Sequence, residues 1–271
     1  SFNWERIMKA TFGWEHFARF AMSVALVAGL AVPAIAQTVL IDFGRTGSFR
    51  GINVPNPDVN GNYWNSITPG PFITDLLGID NVATAIDIGF DTPVGTDSFN
   101  SPAGVTTFPT PTPAEVAATD IDAAALGNLG IQEAAIDFAA GPSLEDNRVR
   151  FQLQQLNPAK TYNLAFFSSH KFSTDDATVF SVYTDNTYST LVATTSVLHQ
   201  APGMPWLHKR DTLATLNGIA PQASDILYVE FVGVNGAEGY LNSMRITAVP
   251  EPSTLLLLVG AIGMCVGVRR R

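Results

Sequence analysis

Cysteine is all but missing from this chain: of 271 residues, only Cys265 carries a thiol. No disulfide can form within the chain, and zinc or iron–sulfur sites held by cysteines are excluded. Charge is sparse as well, at 14% of residues against 46% hydrophobic, a balance that can bury a core and argues against disorder. Basic residues are the scarcer sign, 15 against 24 acidic. Between residues 37 and 249 the imbalance sharpens to 9 against 21, a net charge of −12. Such a surface repels nucleic acid, whose binding rests on neutralising phosphates. His-Glu-x-x-His, Gly-x-Ser-x-Gly and phosphate-binding glycine patterns do not occur. Nor is there a repeat of the kind that builds a solenoid or propeller.

What is present is polarised toward the two ends. Residues 1–36 have the parts of a secretory signal: Arg6, Lys9 and Arg19, an apolar core over 20–32, and a small-x-small site at Ala34-Ile35-Ala36. Cleavage after Ala36 would leave Gln37 first. Met8 and Met22 both lie inside this stretch, so translation could start later than Ser1. At the other end, Val249-Pro250-Glu251-Pro252-Ser253 precedes an uncharged stretch over 255–268 and then Arg269-Arg270-Arg271. As a helix that stretch spans only about 21 Å, short of the ~30 Å hydrocarbon core. Snorkelling arginines offset part of the mismatch, so it reads as a short transmembrane helix. Basic residues flank both apolar blocks on their outer sides, which places the interior across the membrane from the cytoplasm.

The motif from Val249 to Ser253, with its apolar helix and arginine cluster over 249–271, resembles the PEP-CTERM sorting signal of Gram-negative bacteria. The resemblance implies export through the Sec translocon and transient inner-membrane anchoring through the C-terminal helix. It also implies processing by an exosortase, with delivery to the cell surface or extracellular matrix. It makes the chain a processing substrate and gives Pro250, Glu251 and Pro252 no catalytic role.

Residues 37–248 read as one domain of short strands. Apolar, β-branched runs occur over 38–43, 83–90 and 132–138. Over 148–153, Val149, Phe151 and Leu153 alternate with Arg148, Arg150 and Gln152. After a turn at 156–160, Tyr162, Leu164 and Phe166 resume the alternation. Further strands are expected over 177–183, 189–197, 225–232 and 240–247. Thr112-Pro113-Ala114-Glu115 opens a short helix that fails near Gly127. Roughly ten short strands separated by turns predict an all-β, antiparallel β-sandwich, most simply a jelly roll. The opening VLIDFG and closing GYLNSMRI strands are expected to be neighbours. With Phe151-Gln152-Leu153, Leu156-Asn157-Pro158 and Tyr162, they are similar to the galactose-binding-like sandwiches of exported bacterial proteins.

Candidate sites are few, and each has a structural alternative. Asp58, Asn60 and Asn62 supply oxygens at alternate positions, as a calcium loop would, but Asn60-Gly61 is also a tight-turn pair. Tyr63, Trp64 and Asn65 combine aromatics and an amide as a sugar site does; Trp64 could equally plug the sandwich. Trp206, in a Pro/Gly-rich loop with His208, is a second ligand-binding candidate or else the loop's anchor. Ser168-Ser169-His170 with Asp175 and Asp176 has hydrolase residue types but the composition of a polar loop. No cofactor is required, calcium at Asp58 aside. The expected function is that of a non-enzymatic surface or matrix protein, with extracellular polysaccharide as its possible ligand. A structural matrix component without a ligand and an exported polysaccharide or ester hydrolase are the alternatives. Net charge favours a neutral or cationic polymer over a polyanion.

Overall fold

The computed structural model describes residues 36–44, 52–70, 72–98, 121–141, 147–170, 177–199, 210–221, 224–234 and 238–249. The expected signal, the helix start at Thr112, the Trp206 and His208 loop, Asp175, Asp176 and the tail beyond Val249 lie outside them. A compact unit begins at Ala36. No helix among the described residues is long and apolar enough to cross a membrane.

Strand β1 (Thr38–Asp42) is followed by β2 (Asn65–Ser66), β3 (Asp87–Phe90) and β4 (Gly95–Ser98). Two short helices follow, α1 (Ala123–Leu126) and α2 (Glu133–Ile136), and then β5 (Asp137–Ala140) and β6 (Arg148–Gln154). The chain continues through β7 (Thr161–Phe167), β8 (Ala177–Tyr183), β9 (Leu191–Leu198) and β10 (Ala214–Ile219). It closes with β11 (Leu227–Gly233), β12 (Tyr240–Leu241) and β13 (Ser243–Val249). One sheet runs β10-β7-β13-β1-β2 and a second β3-β6-β11-β8-β9. A smaller third sheet runs β12-β5-β4. All pairings are antiparallel except β1 with β2.

The two five-stranded sheets face each other across one core. Val39, Ile41, Leu164, Phe166, Met244 and Ile246 of the first sheet meet Phe151, Leu153, Phe180, Val182, Val229 and Phe231 of the second. Phe166 stacks on Phe180 across the sheets, with centroids 4.3 Å apart. Each strand contributes every second residue, so the period-2 pattern in the sequence is the cause of this layer.

The first sheet is buried on its other face too. Leu40, Ala165 and Phe167 pack against Trp64, Leu126, Leu129, Ile131 and Ala134. The helical segment supplies this cover. Asp122 caps α1 by accepting from Ala125 N at 3.0 Å, and Gly127 ends it at φ +58°.

Several expectations shift on contact with the fold. The expected strand over 132–138 begins as a helical turn: Glu133-Ala134-Ala135-Ile136 form α2, and the strand starts at Asp137. Good helix formers with an acid in the first turn account for this. Strands β6 and β7 are not partners; β6 pairs β3 and β11, while β7 pairs β10 and β13. The 155–160 turn carries the chain from one sheet to the other, with Leu156 buried at the corner and Tyr162 Oη accepting from Asn157 N at 2.7 Å. The expected 240–247 strand breaks at Asn242 into β12 and β13. The first and last strands do pair, from Thr38↔Thr247 to Asp42↔Ser243. Ala248 N also donates to Gln37 O at 2.8 Å, so the residues flanking both predicted processing points lie side by side.

Candidate functional site

The outer face of the second sheet gathers the aromatic and polar groups best placed to meet a ligand. On β6, Arg148, Arg150 and Gln152 point away from the core. Register sets Tyr228 beside Gln152 and Glu230 beside Arg150. On the far side of β11, it sets Tyr183 beside Tyr228 and Ser181 beside Glu230. Both rows meet at Tyr188, carried by the turn between β8 and β9.

Asp185 shapes that turn. Its carboxylate accepts from the Thr187, Ser189 and Thr190 amides at 3.0, 3.2 and 2.6 Å, and from the Thr187 and Ser189 hydroxyls. The Thr187 hydroxyl contributes most to holding this carboxyl well below the ordinary range. The turn leaves Tyr188 at φ +55°, leaning over the sheet. Its hydroxyl donates to Asp91 Oδ2 at 2.7 Å, and the Arg150 guanidinium lies 4.2 Å from its ring centroid. Tyr183 and Tyr228 meet its ring edge-to-face at 5.5 and 5.8 Å. Arg150 Nε donates to Glu230 Oε2 at 2.8 Å, and Gln152 Nε2 donates to Asp91 Oδ1 at 2.6 Å. Burial, followed by the Asp91 hydrogen bond, raises the Tyr188 phenol well above its ordinary value.

The result is a pre-set platform: three half-buried tyrosines, a guanidinium stacked on one of them, and an amide at the margin. Flat aromatic faces suit the C–H face of a pyranose, and fixed side chains lower the entropy cost of binding. The sequence signal was the polar side of the 148–153 alternation together with Tyr183, Tyr188 and Tyr228. Nothing in the sequence says that residues 150, 188 and 228 share a face.

The residues singled out from the sequence have other duties. Trp64 is 1% exposed and sits in the second core, its Nε1 donating to Asp58 Oδ2 at 2.8 Å. No ring face is left for a sugar. Asp58 also accepts from Asn60 N at 2.8 Å, Asn62 N at 2.9 Å and Asn62 Nδ2 at 3.3 Å, so its two oxygens serve four donors. The loop is a turn closed by Gly61 N on Asp58 O at 3.0 Å, with Gly61 at φ +84°. Of the two readings of Asp58, Asn60 and Asn62, the geometry is that of the turn. No group of three or more His, Cys, Asp and Glu that could hold a metal occurs among the described residues. Asn65 bridges backbones, donating to Leu40 O and Leu77 O and accepting from Leu77 N. Tyr63 is half-buried, its amide donating to Ile79 O at 3.1 Å.

The Ser168-Ser169-His170 segment is buried rather than open. His170 stacks on Tyr240 at 4.2 Å, and Ser168 Oγ donates to Thr178 Oγ1 at 3.0 Å. His199 Nε2 lies 2.6 Å from that same Thr178 oxygen and meets Tyr240 edge-on. Desolvation depresses both imidazoles, His170 to about 4 and His199 to about 3, so both are neutral at physiological pH. Ser168 thus addresses a threonine.

Strand β13 runs to Val249, directly ahead of Pro250. The PEP-CTERM protein-sorting motif matches residues 248–271. The tail is a PEP-CTERM sorting motif. It supports an exported protein sorted by exosortase toward the cell surface. No curated protein matches this chain. Among solved structures, the enzymatically active domain of tailspike protein 4 from bacteriophage CBA120 is similar at 14% identity and a TM-score of 0.25. That match covers 40% of this chain and 15% of that one. A likeness of that size carries no argument about fold or function.

Proposed function

We propose that this PEP-CTERM protein is a non-enzymatic surface or matrix component whose sandwich holds a neutral extracellular polysaccharide on the Tyr183, Tyr188 and Tyr228 face. The observation that carries the reading is the tyrosine platform, tied together by ring contacts and hydrogen bonds and bordered by Gln152, Arg150 and Asp91. The sorting tail supports the destination, since a protein delivered there meets polymer. Export through the Sec translocon, removal of residues 1–36, transient anchoring by the 255–268 segment and exosortase processing belong to the same reading. So does a galactose-binding-like jelly-roll assignment, supported by two facing five-stranded sheets.

The test is a glycan array, including the host's own matrix polymer, probed with the full chain and with Tyr228→Ala. Binding to a neutral glycan that falls tenfold or more in the variant is expected. Binding that survives Tyr228→Ala but fails in Trp206→Ala would move the site to the 201–208 loop. No binding to any glycan would favour a structural component, and turnover of a glycoside or ester would overturn the non-enzymatic reading. Pro252→Ala, which an ordinary anchor should tolerate, is expected to block C-terminal processing, read by intact mass.

A further inference from the structure

Among the described residues, four strands end the two five-stranded sheets, and three of them are poor templates for a further strand. β2 has two residues; β3 has four, including Asp87, and runs into Asp91. β10 loses register between Leu216 and Ile219, where Gly218 stands at φ +69°. Short length, charge and irregularity are the means by which a sheet edge avoids pairing with other chains. The fourth edge, β9, has eight residues, Leu-Val-Ala-Thr-Thr-Ser-Val-Leu, with neither proline nor charge. No Asp, Glu, Lys or Arg occurs between Asp185 and Lys209. Its register with β8 is continuous from Ala193 to Leu198 and shifts only at Val192. No described strand pairs with its outer side; β10 lies against it without joining it. Of the six large apolar side chains that the described residues expose, three are here: Leu191, Val192 and Leu198, at 52, 41 and 39%.

The strand is complementary to itself. Set antiparallel to a second copy about Thr195, Thr194 falls opposite Ser196 and Ala193 opposite Val197. Leu198 then meets the Leu191 and Val192 end of the other copy. Residues directly opposite each other point to the same face of a sheet, and this register respects that. Thr194 and Ser196 are both exposed, on the outer face, whereas Ala193 and Val197 both pack toward the core. Each contact occurs twice, as a two-fold interface requires. Charge selects the same occupant. Residues 37–249 carry a net charge of −12, so two copies repel each other over most approaches and least along an uncharged strand. A strongly charged partner finds no counter-charge on β9.

We propose that β9 is the interface between two copies of this chain, paired edge to edge about a two-fold axis at Thr195, so that their second sheets join into one of ten strands. The outer faces of both sheets then lie on the same side. The test weighs the full chain in mild detergent by light scattering, with the detergent subtracted, across a concentration series. A mass of two chains is expected. Thr194 and Ser196 are exposed, so charges there should leave the melting temperature unchanged. Thr194→Lys with Ser196→Lys sets like charges opposite each other at two places, and the dimer should weaken about tenfold or more. Thr194→Lys with Ser196→Glu sets opposite charges at the same two places and should pair at least as tightly as the wild type. A wild-type chain that stays single, or a double-lysine variant that dimerises like the wild type, would overturn the proposal. Equal weakening in both variants would overturn the register about Thr195.

Discussion

Trp64 spends its one polar atom on Asp58, and that single bond decides between a binding residue and a core residue. Deleting the carboxylate strands a buried indole N–H and releases the turn. Asp58→Ala is therefore expected to cost about 3 kcal/mol of unfolding free energy in urea titration, as losses of buried networks do. A second residue-scale consequence concerns acid. His170 is held neutral by burial, with its pKa near 4, whereas an unfolded histidine titrates near 6.5. Between those values the unfolded chain binds protons that the folded chain refuses, so this residue's contribution turns against folding as pH falls through that window. Relative to its own stability at pH 7, the wild type should lose on the order of 3 kcal/mol more by pH 4 than His170→Phe does. Equal losses in the two proteins would show that His170 carries no such penalty. Both residues stood out in the sequence as chemistry, and for the same reason both misled. A tryptophan or histidine reports its type along the chain, whereas what covers its ring comes from Asp58 or Tyr240, the latter 70 positions from His170.

At the scale of elements, alternation made the strands legible and distance hid their partners. The inward set Val149, Phe151 and Leu153 is readable because a half-buried strand must alternate, and β6 falls where that pattern puts it. That β6 and β7 lie in opposite sheets is not readable, since a turn of this length can close a hairpin or cross a sandwich. Strand β10 escaped notice because Gly218 and two polar positions interrupt its pattern. The break between β12 and β13 follows from one side chain. Asn242 donates to Ala135 O at 3.2 Å and Asp137 O at 2.9 Å, and accepts from Ser169 N at 2.7 Å, with no exposure to solvent. It joins α2, β5 and the end of β7 at one point. Asn242→Ala would remove the side-chain partner of three buried backbone groups, and a loss of about 3 kcal/mol is expected by chemical denaturation, with the midpoint moving and the slope unchanged. A change near zero would mean that these backbone groups find other partners.

For the whole molecule, the C-terminal end was more legible than the middle. A sorting tail is a linear signal, so Pro250-Glu251-Pro252, the apolar run and the arginines could be recognised without any fold. The proposed binding face is assembled from β6, β8, β11 and a turn, so its residues come together only in three dimensions. Strand β1 begins at Thr38 and β13 ends at Val249, paired with each other, so cleavage after Ala36 or beyond Val249 would leave the core uncut. On the proposed function, sorting brings this domain to the surface and the tyrosine face keeps it in the polymer. Fractionation of host cells expressing wild type and a Tyr183→Ala, Tyr228→Ala variant tests both halves at once. The variant is expected to be exported and processed like the wild type, yet to appear in the culture medium instead of the cell-bound matrix. A processed variant that stays in the matrix as firmly as the wild type would contradict the account.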